Sequence, residues 1–417
     1  MHVFNKIGVG AIAVAAAVIS VALAVPANAD TAAQAGDVVG VGSDTVQNAA
    51  DFVFDGSPGV AGGYNTNGNI NRADNVFATG DANGRAVYDG TCGAVTNTAT
   101  GIAPFCDSTT NQSPNLLPGS VILRAGTAPV VRPNGSGAGV AALIADSAAP
   151  GYKNLPTGSI QFARMSRLPN ATEEGNCPTT TASCAGLHVF QVATDNLTIA
   201  RTTAGYNGPA GLSAAELVSI YSCSVTKWNA LTGNSSGSSD TIHPLIPQSG
   251  SGTRNFFLAD LQAANGGNPV TLGSCVRTVE EHDPTGIYGD PTPGDAIEPF
   301  STGKLALINS GYFANGAGYS GTSFAQGAYT PNFLSTLTGT APDGSASYTS
   351  TRGLYFTVRQ ADVIGTTPFQ PGSTQTWVSA LITSGASAIR SASGKAEIQA
   401  AGFTAAYKDC GINPTSC

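Results

Sequence analysis

The sequence predicts an α/β protein with largely parallel sheets. Short β-type stretches alternate with helical apolar patterns along most of the chain. Three Gly/Ser-rich loops each run directly into such a pattern. Apolar content is ordinary at 41% although charged residues are only 11% and glycines number 52. Strands alternating with helices are the mark of βα units, and periodic apolar runs at ordinary hydrophobicity belong to a folded chain rather than a disordered one.

In order, the β-type stretches are Asp37 to Val41, Val121 to Arg124, Ser159 to Arg164, His188 to Ala193, His243 to Pro247, Leu305 to Asn309 and Leu354 to Arg359. Helical patterns lie between several of them, at Val46 to Phe54, Val140 to Ser147, Ala214 to Tyr221 and Asn255 to Ala264. The segments Asp107 to Pro118 and Gly311 to Thr351 are rich in Gly, Ser, Thr, Asn and Pro and read as long surface excursions. No internal repeat is visible.

The first residues read as a secretory leader. Lys6 lies in a short charged start, an apolar run extends from Ile7 to about Val25, and Ala27-Asn28-Ala29 offers small residues at −3 and −1 of a cut after Ala29. No cysteine stands near the cut to take a lipid anchor, and no second apolar run is long enough to span a bilayer. The expectation is a signal peptide over 1–29 and a secreted, extracellular mature protein with no membrane insertion. The eight cysteines are an even set in an exported chain and are expected to pair sequentially as Cys92/Cys106, Cys177/Cys184, Cys223/Cys275 and Cys410/Cys417. No Cys-x-x-Cys occurs and His numbers only 4, so metal ligation is not expected.

A mature chain of about 390 residues is long for one core, so two lobes are expected. The net charge of −8 argues against nucleic acid or an anionic membrane as partner. It also requires that any bound anion be held by local dipoles against an unfavourable long-range field.

The Gly/Ser loops supply such dipoles. They are Gly42-Ser43-Asp44-Thr45, Asn134-Gly135-Ser136-Gly137-Ala138-Gly139 and Ser249-Gly250-Ser251-Gly252-Thr253-Arg254. A helix start carries unpaired N–H groups and about half a positive charge, so three starts aimed at one cleft form an anion pocket. All three fit strand-to-helix connections at the carboxyl ends of strands, where open α/β sheets bind ligands. Glycine lets the backbone approach a ligand, and Ser and Thr hydroxyls donate without adding charge. At about 1.5–3 kcal/mol per charge-assisted bond, a handful of contacts reaches micromolar affinity without an arginine.

The loops occur with a strand ending Phe162-Ala163-Arg164-Met165-Ser166-Arg167, then Leu212-Ser213, Glu216-Leu217, Ile220-Tyr221 and Trp228, and then Ile246-Pro247-Gln248-Ser249-Gly250-Ser251-Gly252-Thr253. In this order they resemble the phosphate-binding proteins of ABC importers, from about Val38 to Ile308. The resemblance implies a two-lobed type II periplasmic-binding fold, each lobe a mostly parallel sheet flanked by helices. Lobe I would span 36–192 plus 352–417 and lobe II 193–351, with crossings near Ala193 to Thr198 and near Arg352. It also implies that Ser43, Asp44 and Thr45 form the first ligand loop, Ser136 and Gly137 the second, and Ser251, Gly252 and Thr253 the third. Two features of the family depart here. The arginine three residues before the first glycine of the third motif, and the acid it pairs with, are replaced by Pro247 and Ser249. The aspartate ending the strand after the second loop is matched by Ser166 or Arg167. The identity of the anion is therefore left open.

Arg167 and Arg254 are candidates to replace the lost cation, since Arg suits forked contact with oxyanions. Arg254 alternatively points outward or pairs with Asp260. Asp44 reads either as the N-cap of the helix from Val46 or as an acceptor selecting a protonated ligand. Glu280-Glu281-His282-Asp283 has metal-capable side chains, but adjacent residues rarely converge on one ion, and a solvated loop is expected. His188 and His243 are expected to be structural or surface histidines. Neither Ser136 nor Ser251 has glycine two before and two after it, as a nucleophile elbow needs, and no Gly-Lys-Ser/Thr follows a Gly-rich loop.

The sequence reading is a secreted, disulfide-bonded, monomeric solute-binding protein that is not an enzyme and needs no cofactor or metal. It captures a small oxyanion, phosphate being the first candidate, in the inter-lobe cleft. Whether an ABC permease is its partner stays open. The alternative is an exported binding-fold protein for another ligand, such as a carboxylate or polyol phosphate, or one with a cell-surface interaction role without transport.

Overall fold

The computed structural model describes residues 38–55, 73–75, most of 120–131, 133–310, 331–366 and 374–417. The leader over 1–29, Cys92, Cys106 and the excursion Asp107 to Pro118 lie outside the described residues. Strand β1 (Val38–Gly42) leads through Ser43 into helix α1 (Asp44–Asp55), followed by β2 (Ala73–Asn75) and the antiparallel pair β3 (Ser120–Val121) and β4 (Val130–Val131). Then come α2 (Gly135–Ala145), β5 (Phe162–Met165), α3 (Ala171–Gly175), β6 (Leu187–Thr202), α4 (Ala214–Tyr221), β7 (His243–Pro247), α5 (Gly252–Ala264), β8 (Arg277–Val279), α6 (Thr285–Tyr288), β9 (Ala296–Ser301) and α7 (Thr302–Asn309). The chain closes with β10 (Leu334–Thr336), β11 (Thr349–Arg359), α8 (Gln360–Ile364), α9 (Ala392–Ala400) and β12 (Thr404–Ile412).

The central sheet follows one hydrogen-bonded path in the order β2-β1-β5-β11-β6-β9-β7-β8, with β10 and β12 pairing β6 off this path and β3-β4 apart from it. The outer triplets, β2-β1-β5 and β9-β7-β8, are parallel, and the two long strands between them, β11 and β6, run antiparallel to their neighbours. The expected α/β architecture of mostly parallel units flanked by helices therefore holds. β6 and β11 pair along nearly their whole length with Arg352 opposite Asp195. This pairing runs through the segments where the chain crossings were expected.

Local sequence explains most element ends. The Ser213 side chain accepts from the Glu216 N–H while the Glu216 carboxylate accepts from the Ser213 N–H, a reciprocal cap that fixes the start of α4. Ser251 caps α5 by accepting from the Arg254 N–H, and Ser301 caps α7 by accepting from the Lys304 N–H. Those two serines stand at the carboxyl ends of strands, so each helix begins beside the sheet edge that feeds it.

Three expectations need correction. Leu305 to Asn309 is the end of helix α7, not a strand. Leu305, Leu307 and Ile308 are all buried, and a short apolar run without polar relief has no period to separate helix from strand. The strand expected over His188 to Ala193 continues through Thr194, Asp195 and Asn196 to Thr202. These polar residues are tolerated because Asp195 is ion-paired to Arg352 across the sheet. The excursion expected over 311–351 contains β10 and the first residues of β11.

Disulfides join Cys177 to Cys184, Cys223 to Cys275 and Cys410 to Cys417, with Cα atoms 5.6, 6.0 and 5.3 Å apart. These are the three sequential pairs within the described residues. Among those residues no helix is long and apolar enough to cross a membrane.

Candidate functional site

The first and third Gly/Ser loops face each other as the amino-terminal ends of α1 and α5, and a carboxylate is seated between them. It belongs to Glu281, in the segment between β8 and α6. One of its oxygens, Oε2, accepts from the Ser43 hydroxyl at 3.0 Å, the Asp44 N–H at 3.0 Å and the Thr45 N–H at 3.2 Å. The other, Oε1, accepts from the Ser251 hydroxyl at 2.6 Å and the Thr253 N–H at 3.0 Å. Five donors thus surround one anion, three of them main-chain amides in the first turns of two helices, where the dipoles favour negative charge.

The Glu281 backbone is fixed as well. Its N–H donates to Gln248 Oε1 at 2.8 Å, and the Gln248 amide donates to Asn134 Oδ1 and Glu280 Oε1 at 3.0 and 3.2 Å. The Asn134 amide in turn donates to Glu280 Oε2 at 3.1 Å. Gln248, between the family-departing Pro247 and Ser249, therefore positions the acidic segment.

The second loop stands behind this shell. Ser136 Oγ accepts from the Ser166 N–H at 3.0 Å and lies 3.4 Å from Ser166 Oγ, which is 3.1 Å from Ser43 Oγ. The Gly137 N–H donates to the Gly250 carbonyl at 2.9 Å and so ties the second loop to the third. Gly252 lies where these hydroxyls converge. A Cβ there would stand 2.3 Å from both Ser136 Oγ and Ser166 Oγ, closer than real Cβ contacts come.

On the other side, Thr45 Oγ1 and Thr253 Oγ1 are 3.1 Å apart and lie 2.9 and 3.1 Å from His282 Nε2. The Ser301 N–H lies 3.3 Å from His282 Nδ1, while His282 Nε2 faces the two threonines and, at 3.4 Å, Arg352 Nη2. Arg352 donates to Thr253 Oγ1 at 2.7 Å and is paired with Asp195 through Nε and Nη2 at 3.1 and 2.9 Å. Asp195 is further held by the Ser301 hydroxyl at 2.8 Å and the Gly303 N–H at 3.3 Å.

Burial alone raises the Glu281 carboxyl, but the His282 ring, the Ser251 hydroxyl, the Arg352 guanidinium and the Thr253 N–H outweigh it and hold the group down at about 2. His282 is pushed well below its ordinary range by burial, with Arg352 and Lys304 acting in the same direction against Glu281. Glu298, on the adjacent β9, has the opposite fate. Burial and the charges of Asp283 and Glu281 raise it well above the carboxylate range, against a hydrogen bond from the His282 backbone. An ionised and a protonated carboxyl therefore stand close together, separated in state by the charges and donors that face Glu281.

The acidic run expected as a solvated loop is instead buried: Glu280, Glu281, His282 and Asp283 are 4, 3, 3 and 6% exposed. Charge is tolerated there because Glu281 has its five donors. Among the described residues no group of His, Cys, Asp and Glu is arranged to hold a metal ion. Asp44, expected as a possible cap, is the first residue of α1, and Ser43 precedes it. Arg167 forms a forked pair with Glu173 at 2.6 and 2.8 Å and also donates to the Leu168 carbonyl. Arg254 donates to the Pro247 carbonyl at 3.0 Å, while Asp260 accepts from the Tyr348 hydroxyl. Hence Ser43, Asp44, Thr45, Ser251 and Thr253 meet at one carboxylate, Ser136, Gly137, Ser166 and Gly252 support them, and both arginines are engaged elsewhere. His188 contacts Gln360 and Asp409, and His243 contacts Asp290.

Sequence reading missed Glu281, His282, Asp195 and Arg352. The one available signal was position: an acidic pair just past the carboxyl end of a short strand, where α/β sheets place their ligands.

Comparison with known proteins places the chain in a family. No curated protein sequence matches the chain. A solved structure of a putative phosphate ABC transporter substrate-binding protein from Clostridium perfringens aligns at 13% identity and TM-score 0.49, covering 89% of this chain and 99% of that one. An ABC-type phosphate transport receptor from Vibrio cholerae aligns at 14% identity and TM-score 0.43, covering 89% and 100%. The family model described as the PBP superfamily domain matches residues 119–401, more than half of the chain. The protein belongs to the PBP superfamily.

Proposed function

We propose that the chain is an exported solute-binding protein that captures a small oxyanion, phosphate being the first candidate, in a cleft between two lobes. The lobes are 36–192 plus 352–417 and 193–351, and β6 and β11 carry the chain between them. The observation that carries this reading is the seating of one carboxylate by the first turns of α1 and α5. A site that stabilises Glu281 as an anion has the donor geometry and dipoles to stabilise any oxyanion of similar size. Superfamily membership supports a binding role. The donors are main-chain amides and hydroxyls, so an acidic protein holds the ligand without a dedicated cation at Pro247. No covalent chemistry is assigned to the site: the Ser43 and Ser251 hydroxyls donate to a carboxylate, and Ser136, Ser166, Thr45 and Thr253 are hydrogen-bonded around them.

The test is thermal-shift screening of the mature protein against phosphate, sulfate, carboxylates, sugar phosphates and neutral sugars. A ligand at a hundred times its dissociation constant should add about 2.7 kcal/mol of stability. Stabilisation by neutral sugars alone would discard the oxyanion reading. Ser251→Ala, which removes one hydroxyl donor, should weaken the stabilising oxyanion by about tenfold or more, given about 1.5–3 kcal/mol per charge-assisted bond.

A further inference from the structure

Glu281 is supplied by the protein itself, and this changes what ligand binding involves. We infer that Glu281 is an intramolecular ligand that occupies the oxyanion site, so that a free oxyanion binds only by displacing it. The inference rests on the binding reading above. Each donor to the carboxylate has one hydrogen to give: the Asp44, Thr45 and Thr253 amides carry one N–H apiece, and the Ser43 and Ser251 hydroxyls one O–H apiece. All five are aimed at Glu281, and no second anion can use them while it stays. The segment bearing Glu281 is part of neither helix, and apart from Glu281 it touches their first turns through His282, at Thr45 and Thr253. It joins β8 to α6 and is held by Gln248 and Asn134, so its side chain can withdraw without unmaking either donor cluster.

The carboxylate also joins two distant parts of the chain. It binds α1 across a sequence separation of 238 residues and α5 across 30. In the proposed two-lobe arrangement these helices belong to different lobes, so Glu281 holds the ligand-free cleft shut in place of a ligand. A tethered competitor acts at an effective concentration in the millimolar range or above, which lowers the apparent affinity of a free competitor by the same ratio. A tetrahedral dianion outcompetes a planar monoanion because its additional oxygens can reach the Thr45, Thr253 and Ser166 hydroxyls that ring the site. The site therefore selects tetrahedral oxyanions over carboxylates.

Calorimetric titration of the mature protein with inorganic phosphate, sulfate and acetate at constant ionic strength tests this, comparing wild type with Glu281→Ala, Glu281→Gln and Glu281→Asp. The three changes empty the site, neutralise it and retract its charge. Any of them that retains native circular dichroism serves. Phosphate affinity is expected to rise at least tenfold in Glu281→Ala and Glu281→Asp, and acetate, silent in wild type, should bind Glu281→Ala. Equal phosphate affinity in wild type and every folded variant would overturn the intramolecular-ligand inference and leave the oxyanion site standing. Failure of all forms, including Glu281→Ala, to bind any of the three anions would overturn both. Should all three variants misfold, refolding of Glu281→Ala in the presence of phosphate but not of chloride supports the inference, and refolding in neither overturns it.

Discussion

Lowering the pH should unlock Glu281, and the size of the effect follows from its surroundings. Its carboxyl titrates at 4.5 when unperturbed and is held at about 2 in the folded chain. Between those values the unfolded chain binds a proton that the folded chain refuses. Stability therefore rises with pH across the window, is fully present above about 4.5, and is lost as pH falls toward 2. At about 1.4 kcal/mol per pH unit the contribution is about 3 kcal/mol. The perturbation is Glu281→Gln, which cannot titrate, and the comparison is a difference curve in which carboxylates outside the site cancel, so that it reads Glu281 together with His282 and Glu298, whose shifts depend on its charge. Glu298, protonated in the folded chain, contributes a slope of opposite sign only where the unfolded chain ionises, from about pH 4.5 upward. The assay is urea unfolding in phosphate-free buffer from pH 2 to 7 with disulfides intact, followed by the fluorescence of Trp228, which is fully buried. Wild type should lose about 3 kcal/mol more than Glu281→Gln between pH 5 and pH 2. Parallel curves through that interval would show that the five donors do not hold the carboxylate in solution.

Two other substitutions probe the frame around the site. Arg352→Met removes the partner of a fully buried Asp195 while nearly conserving volume. Leaving a buried charge unpaired should destabilise the fold by about 3–5 kcal/mol by urea unfolding, with partial recovery in the double variant with Asp195→Asn. A loss under about 1 kcal/mol would mean that the Ser301 and Gly303 donors suffice for Asp195. Gly252→Ala forces a methyl to within 2.3 Å of Ser136 Oγ and Ser166 Oγ and should cost about 1–3 kcal/mol together with the oxyanion-induced thermal shift. Gly385→Ala, whose Cβ meets nothing within 4 Å, is the control and should stay within about 0.5 kcal/mol of wild type.

What the sequence reveals depends on how local the determinant is. Helix α4 is legible residue by residue because its start is written in Ser213 and Glu216, three positions apart. β7 is legible because the apolar stretch ending at Pro247 stops at the polar Gln248-Ser249 and the glycine that follows. The donor loops are legible for the same reason: glycine and hydroxyl residues ahead of a helical pattern are short-range features. The misread elements depend on distant partners. Leu305 to Asn309 becomes helical through the Ser301 cap and its packing, and β6 runs past Ala193 because Arg352 lies opposite Asp195 on another strand. Glu281 is the extreme case. Four charged or ionisable residues in a row read as solvated unless their donors are known, and three of its five donors lie on Ser43, Asp44 and Thr45, at the other end of the fold. No pattern within the run announces a burial that long-range hydrogen bonding makes favourable.

The family-departing positions and the buried acid have one physical explanation. An arginine at position 247 paired with an acid at 249 would place a fixed cation beside the anion site; here Pro247 gives only its carbonyl, to Arg254. Without that cation, two facing helix ends would concentrate partial positive charge and unpaired N–H groups in a water-poor space, and buried donors left unsatisfied are costly. An internal carboxylate satisfies them when no ligand is present. Gln248, the residue between the two altered positions, holds the backbone of the segment that delivers it. The lack of an arginine at position 247 and the seating of Glu281 are then two sides of one arrangement, in which the site's resting anion is built in. Restoring the arginine tests that link directly. Pro247→Arg with Ser249→Asp should strengthen the site for a free dianion more than for the Glu281 monoanion, so phosphate affinity should rise even with Glu281 present. A decrease would mean that the donor shell is matched to a carboxylate alone.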